Sequence, residues 1–236
     1  MRSILGQGFQ DWQLVVVNDA GDRQVADQVL ARYAPEMRGR CRLLHREVSL
    51  GIEAAANYGV AHSDGRYVVL HDDDDSWHPQ FLERMVGYLR TADASVRGVF
   101  AGTQQIVERI EGNAIREIGR RNLAPPEEPL TVAALRRRNP FPPISFLYER
   151  EAGQSIGGYR EDLQALGDWE FNVRFLSRFK IGYLPKISAY WHHRPRAGFS
   201  TYANSPYRDH MACLMRLKRE WGQWPPLWRY LMWWRY

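Results

Sequence analysis

The sequence predicts an α/β protein: a doubly wound, mostly parallel sheet flanked by helices, with a small antiparallel part and a helical C-terminal extension. Three observations lead there. Through the first half, short apolar runs closed by turn residues alternate with stretches of helical periodicity. One run, YVVLH at 67–71, is almost wholly apolar, as in a strand covered on both faces. The 236 residues, 44% hydrophobic and 25% charged, have the composition of an ordinary globular domain, which excludes disordered, collagen-like and repeat architectures.

Residues 13–18 (QLVVVN) read as a strand, closed by the turn Asp19-Ala20-Gly21-Asp22. Over 22–34, Val25, Val29 and Leu30 recur at helical spacing, with Pro35 ending the pattern. A second strand covers 41–45. Gly51 precedes a helix of small residues at 52–62, which Ser63-Asp64-Gly65 ends. The strand at 67–71 runs straight into Asp72-Asp73-Asp74-Asp75. Pro79 then opens a helix to residue 91 with Phe81, Leu82, Met85, Val86 and Leu89 on one face. Beyond residue 95 the character changes. Segments 97–110 and 114–120 read as β-strands or a hairpin around Gly112-Asn113, 122–129 as a Pro/Glu-rich loop, 130–138 as a short helix and 144–149 (ISFLYE) as a strand. Gly157-Gly158 marks a loop, 168–179 has helical periodicity, and another strand lies near 181–191. No linker divides the chain, so 1–205 read as one domain and 206–236 as an aromatic, helical extension.

A net charge of +5 and a pI of 9.3 suit an anionic partner such as a phosphate-bearing small molecule or an acidic lipid surface. The arginines are scattered, a local group such as Arg136-Arg137-Arg138 reads as a solvated helix face, and no reader motif accompanies them, so nucleic acid is not expected. Cys41 and Cys213 can build neither a disulfide scaffold nor a CxxC zinc pair, which favours a reducing, cytoplasmic setting. No apolar run approaches the ~18 residues of a membrane span, and MRSILGQGFQDW lacks the apolar stretch of a signal peptide. The tail WGQWPPLWRYLMWWRY (221–236) interleaves Trp and Tyr with Arg229 and Arg235. It suits either a helix packed on the domain or on a second copy of the chain, or peripheral contact with the inner leaflet of the plasma membrane.

Four carboxylates in succession repel and raise one another's pKa unless a cation or hydrogen bonds neutralise them. Ligands of open α/β sheets bind at the carboxyl ends of strands, and hard divalent cations take carboxylate together with phosphate oxygens. Asp72 and Asp74, two apart, share a side if strand geometry persists. On the residues alone, the run is either such a cation site or a solvated acidic turn leading into the next helix.

The stretch LGIEAAANYGVAHSDGRYVVLHDDDDSWHPQFLERMV resembles the nucleotide-sugar half of family 2 glycosyltransferases with the GT-A fold, whose pattern is N-x-G-x-x-x-A-R-N-x-G, a strand, then D-x-D-D-x-x-x-P. The earlier LVVVNDAGD resembles the family's I-I-V-D-D-G-S. Further on stand Gly157-Gly158-Tyr159-Arg160-Glu161, Gly167-Asp168-Trp169-Glu170, and Tyr190-Trp191-His192-His193 with Ser200, similar to the family's G-G-F-x-E, E-D-W-(D/E) and late R-x-H elements. The resemblance covers roughly residues 3–200, with 1–95 as the nucleotide-sugar half and 96–205 as the acceptor half. It implies transfer of a sugar from a nucleotide-diphosphate donor to a hydroxyl of a glycan or lipid-linked acceptor, with inversion and with Mg²⁺ or Mn²⁺.

Residue by residue, the resemblance places Asp19, beside Asn18, on the nucleotide base, and Asn57, Asp72 and Asp73 on the nucleotide sugar. Asp74 and His193 fall on the metal, and Asp168 on the general base. His192, Arg194, Arg196, Trp169 and Glu170 fall among phosphate or acceptor contacts. On residues alone, Asp168 is equally a helix N-cap, Trp169 equally a core aromatic, and each histidine equally structural. Three departures stand out: Ala56 replaces the family's Arg, Gly167 replaces the Glu before the base, and the family's opening strand is absent ahead of residue 3. They leave room for a second reading, a catalytically degenerate nucleotide-sugar or carbohydrate-binding module.

Overall fold

A computed structural model describes residues 1–112, 114–126, 128–194 and 207–223. In chain order these form α1 (Arg2–Leu5), β1 (Leu14–Asp19), α2 (Arg23–Met37), β2 (Cys41–Arg46), α3 (Ile52–Ala61), β3 (Tyr67–Val69), β4 (Ser76–Trp77) and α4 (Phe81–Thr91). There follow β5 (Val96–Glu111), β6 (Ala114–Asn122), α5 (Val132–Arg137), β7 (Phe146–Glu149), α6 (Arg150–Ser155), α7 (Gly167–Arg178), β8 (Lys180–His193) and α8 (Tyr207–Glu220).

The strands form two sheets. β1 and β2 pair in parallel by themselves, while the second sheet has the order β3-β7-β5-β8-β4, with β6 on β5. Among the described residues, parallel pairing is confined to β1–β2 and β5–β8; β3–β7, β5–β7, β5–β6 and β4–β8 are antiparallel. The antiparallel share therefore exceeds the expected small part. Strand–helix alternation, which dictates parallel crossovers, stops at α4, and the β5–β6 hairpin and the inserted β7 reverse direction.

The larger sheet is packed on both faces. Along β5, Val99 and Ala101 point to α4 and join Phe81, Met85, Leu89, Trp77 and Leu147. Phe100 points to the other side, with Phe146, Tyr148, Phe171, Phe175 and Ile181. This is the period-two alternation of a strand expressed as two cores. A Cβ on Gly98 would lie 2.7 Å from the Phe146 ring, so glycine there lets the α7-side aromatics close on the sheet. All five apolar positions expected to face inward from α4 are buried.

Helix α2 departs from expectation twice. It continues through Pro35 to Met37, and Val25 and Val29 are exposed. The inward side is instead Ala26, Leu30, Tyr33 and Met37, at the same helical spacing but rotated. The turn before Pro35, which loses a helical N–H there, lies on an exposed stretch open to solvent. Helix α8 seats Cys213 and Leu217 on Leu163 and Ala165, and Trp221 edge-on to Trp169 at 5.7 Å. The buried Lys218 has its Nζ 4.8 Å from the centre of the Trp169 ring and donates to the Arg136 carbonyl, and burial holds its pKa down at about 8. The described start of the extension thus packs on the body. Residues 224–236, with Arg229 and Arg235, lie outside the described residues, as do Arg196 and Ser200. Among the described residues no helix is long and apolar enough to cross a membrane.

Candidate active site

Strand β3 ends at Val69, and the chain then turns through the four aspartates, where the Asp75 N–H donates to the Asp72 carbonyl at 3.2 Å. His71 fixes this turn from behind: its Nδ1 bonds the Asp72 carbonyl at 2.6 Å, and burial holds its pKa down at about 4, so the ring is neutral. The aspartates then divide. Asp73 is exposed, Asp72 and Asp74 are half-buried, and Asp75 is buried. The Asp72 pKa is pushed up to about 6 by burial, then by Asp74, Asp168 and Asp73. Asp75 is pushed up to about 8, by burial first and by Asp72 and Asp74 after it. Its Oδ1 accepts the His192 N–H at 2.8 Å, whereas its buried Oδ2 has no hydrogen-bond partner among the described residues.

Helix α7 brings Asp168 to the same place. Leu166, at its N-cap, is held in the left-handed region at φ 62°, a conformation a bulky residue keeps only when packing enforces it. Asn139 Nδ2 donates to Asp168 Oδ2 at 2.8 Å, and Asn172 in turn donates to Asn139 Oδ1 at 3.2 Å. Burial raises the Asp168 pKa, opposed by the Trp169 N–H, by Asn139 and by the field of His210. Asp72 and Asp168, 96 positions apart in sequence, therefore share one electrostatic site.

The rim is built by β8. Arg194 Nη1 donates to Asp74 Oδ2 at 3.1 Å and its Nε to Glu108 Oε2 at 3.0 Å. His192 Nδ1 bonds Glu108 Oε1 at 2.6 Å and its Nε2 bonds Ser76 Oγ at 3.0 Å. Both ring nitrogens of His192 are thus engaged by protein, and it braces the aspartate turn rather than offering a ligand atom. His193 stacks on Trp191 at 5.2 Å, and burial lowers its pKa against the opposing field of Asp74. Asp19, at the tip of β1, pairs with Arg46 at 3.1 Å and accepts from Ser49 Oγ at 2.6 Å. Its neighbour Asn18 donates to the Gly21 carbonyl at 3.0 Å.

Three expected contacts point elsewhere. Asn57 exchanges hydrogen bonds with the Tyr159 backbone, both at 2.8 Å, and donates to Glu161 Oε1, so its amide ties α3 to the 157–161 loop. Trp169 is buried, with Nε1 donating to the Leu135 carbonyl at 2.6 Å, which makes it core and not an acceptor wall. Glu170 is buried in a bidentate pair with Arg174, at 2.7 and 2.9 Å to Nε. On a helix whose residue 168 faces the site, residues 169 and 170 turn inward.

Two residues escape a local reading of the sequence. Glu108 lies within a strand, and only the β5–β8 register, Ile106 opposite His192, reveals its place. Glu53, in the first turn of α3, is buried beside Gly167 and Asp168. Among the described residues no three His, Cys, Asp or Glu form a ready-made metal cage. The aspartate turn nevertheless fits a hard cation completed by phosphate oxygens. Its donors are oxygens, its carboxylates raise one another's pKa, and it keeps one buried carboxylate oxygen unbonded.

The sequence model described as glycosyl transferase family 2 matches residues 1–151. The uncharacterized glycosyltransferase YwdF of Bacillus subtilis is 26% identical over 189 residues, covering 80% of this chain and 66% of its own. Among solved structures, S. aureus TarS 1–349 in complex with UDP-GlcNAc superposes with a TM-score of 0.64 at 17% identity, over 92% of this chain and 59% of that one. The mannosyltransferase PcManGT from Pyrobaculum calidifontis, in complex with GDP-Man and Mn²⁺, superposes at 0.62 and 18%, over 95% and 60%. The chain thus spans under two-thirds of the length of each. The fold is the GT-A fold, and by the extent of the sequence match the chain belongs to glycosyl transferase family 2.

Proposed function

We propose that the chain moves a sugar from a nucleotide-diphosphate donor to the hydroxyl of a glycan or lipid-linked acceptor, inverting the anomeric carbon. One observation carries this reading: the half-buried carboxylate of Asp168, held by Asn139, lies close enough to the aspartate turn for its charge to raise the Asp72 pKa. Inversion needs one base opposite the leaving group. Asp168 takes the acceptor's proton as that oxygen attacks and the bond from the anomeric carbon to the diphosphate breaks. Its raised pKa strengthens it as a base. Asp19 meets the nucleoside at the tip of β1, and Arg194 stands at the rim as a charge-assisted donor for phosphate. Asp74, with Asp72, Asp75 and His193 around it, would hold Mg²⁺ or Mn²⁺, whose Lewis acidity offsets charge on the departing diphosphate.

The TarS and PcManGT complexes suggest the donors to try: UDP-GlcNAc and GDP-mannose, each with Mn²⁺ and scored by nucleoside diphosphate released. Asp168→Asn keeps the geometry and should still bind the donor while turnover falls by about 10²–10⁴-fold, the usual worth of a general base. Turnover unchanged in that variant removes Asp168 from the role.

A further inference from the structure

Position 167 is the first residue of α7 and directly precedes Asp168. It is glycine, and the space a side chain would take there is filled. A Cβ built on Gly167 would lie 2.4 Å from both Cγ and Oε1 of Glu53, and 2.8 Å from its Cδ. Glu53 comes from another element, the first turn of α3, and only 5% of its surface is exposed. Burial raises its pKa first and Asp168 adds to the rise, while the nearby backbone N–H groups of Glu53 and Gly167 oppose it. Among the described residues no cation pairs with this buried carboxylate, and it lies instead against the N-terminal residue of α7, where a negative charge is stabilised.

We propose that Glu53 is the positioning residue of the base: reaching from α3 into the room glycine leaves at 167, it ties down the first turn of α7 and fixes the direction in which Asp168 presents its carboxylate. This rests on Asp168 being the base. Leu166 shows why a tie is needed, since the turn entering α7 holds a bulky residue in the left-handed region and would relax if released. The arrangement also couples the two halves of the site. α3 packs on β1 (a Cβ on Gly59 would lie 3.2 Å from Val17), and β1 ends in Asp19. The device is reciprocal: a side chain at 167 and the present Glu53 side chain exclude each other.

The test uses the full chain with four variants and two readouts. Amide hydrogen exchange at Gly167 reports the tie without any donor. Turnover of UDP-GlcNAc and GDP-mannose with Mn²⁺ reports its consequence. Glu53→Ala should speed Gly167 exchange and lower kcat by about 10- to 100-fold, the scale of a small misplacement, with donor KM little changed. Glu53→Gln, which keeps the shape, should retain the fold and part of the protection. Gly167→Glu alone should lose stability through the clash, and Glu53→Ala/Gly167→Glu together should recover both stability and most of the lost turnover. Gly167 exchange unchanged in Glu53→Ala overturns the inference, as does a double variant no better than Glu53→Ala. Asp168→Asn read alongside separates the failures. If that variant is inactive while Glu53→Ala is fully active, the inference alone falls; if it turns over normally, the base assignment beneath both falls.

Discussion

The two sheets differ in how completely they are buried. In β7 every residue is buried, and β5 buries an unbroken stretch from Gly98 to Thr103. In β1 and β2 no residue is buried. The groups proposed to do chemistry sort accordingly. Asp72 and Asp168 stand on the densely packed side, where Asn139 holds the Asp168 carboxylate and the turn holds the Asp72 backbone. Asp19 stands on the looser one, ion-paired near the surface. Proton transfer tolerates little displacement, whereas holding a nucleoside tolerates more, so precision is placed where side chains cannot move.

The largest effect expected from this contrast is in the packed core. Phe175 is fully buried and meets Phe146 edge-on at 5.5 Å and Phe179 at 5.3 Å. Phe175→Ala should cost about 3–5 kcal/mol, a large part of a domain's total stability, measured by urea unfolding. A cost under about 1 kcal/mol would mean that the aromatic face yields as easily as β1–β2, and the contrast would dissolve.

A second prediction concerns the aspartate turn, where the packed side carries charge. The Asp75 pKa is raised to about 8 in the folded state, so the folded protein binds this proton more tightly than the unfolded chain does. The sign follows from linkage. The contribution is fully present below about pH 4, the ordinary aspartate range, and is lost as pH rises through about 8. Other acids titrate in the same interval, so the useful quantity is the stability of the native protein minus that of Asp75→Asn. That difference should fall by on the order of 5 kcal/mol from pH 4 to 8 in the presence of EDTA. A flat difference would show that Asp75 is not the strained carboxylate of the turn. Mn²⁺ should recover part of the loss near pH 8 if the turn is where cations bind.

Much of this contrast is legible in the sequence. The five apolar positions of α4, the β5–β6 hairpin and the run of aspartates after a strand follow from periodicity and charge, because each is a local property. The pairing of Asp72 with Asp168 is legible only through the order and spacing of motifs, since 96 positions separate them. Side-chain direction is not legible. Trp169 and Glu170 follow Asp168 in the motif, yet α7 turns both into the protein, and His192 is spent on Glu108 through a strand register no local pattern encodes. Nor does composition show that Glu53 fills the space beside Gly167. A small-residue helix and a glycine give no sign that one serves the other.

The smallest effect tests the one place where periodicity misleads. Val25, Val29 and Leu30 suggest an apolar stripe, but a helix wraps its stripe only around whatever it packs against. α2 packs through Ala26, Leu30, Tyr33 and Met37, leaving Val25 at 56% and Val29 at 40% exposure. Substitution at such positions removes little buried area, so Val25→Ser and Val29→Ser should each stay within about 0.5 kcal/mol of the native protein. The same variants should leave the urea dependence of unfolding unchanged, because no surface is newly exposed. A loss of about 2 kcal/mol from either would mean that this outer face is covered in the folded protein. The looser sheet would then owe its low burial to a missing neighbour, and not to a relaxed standard of packing.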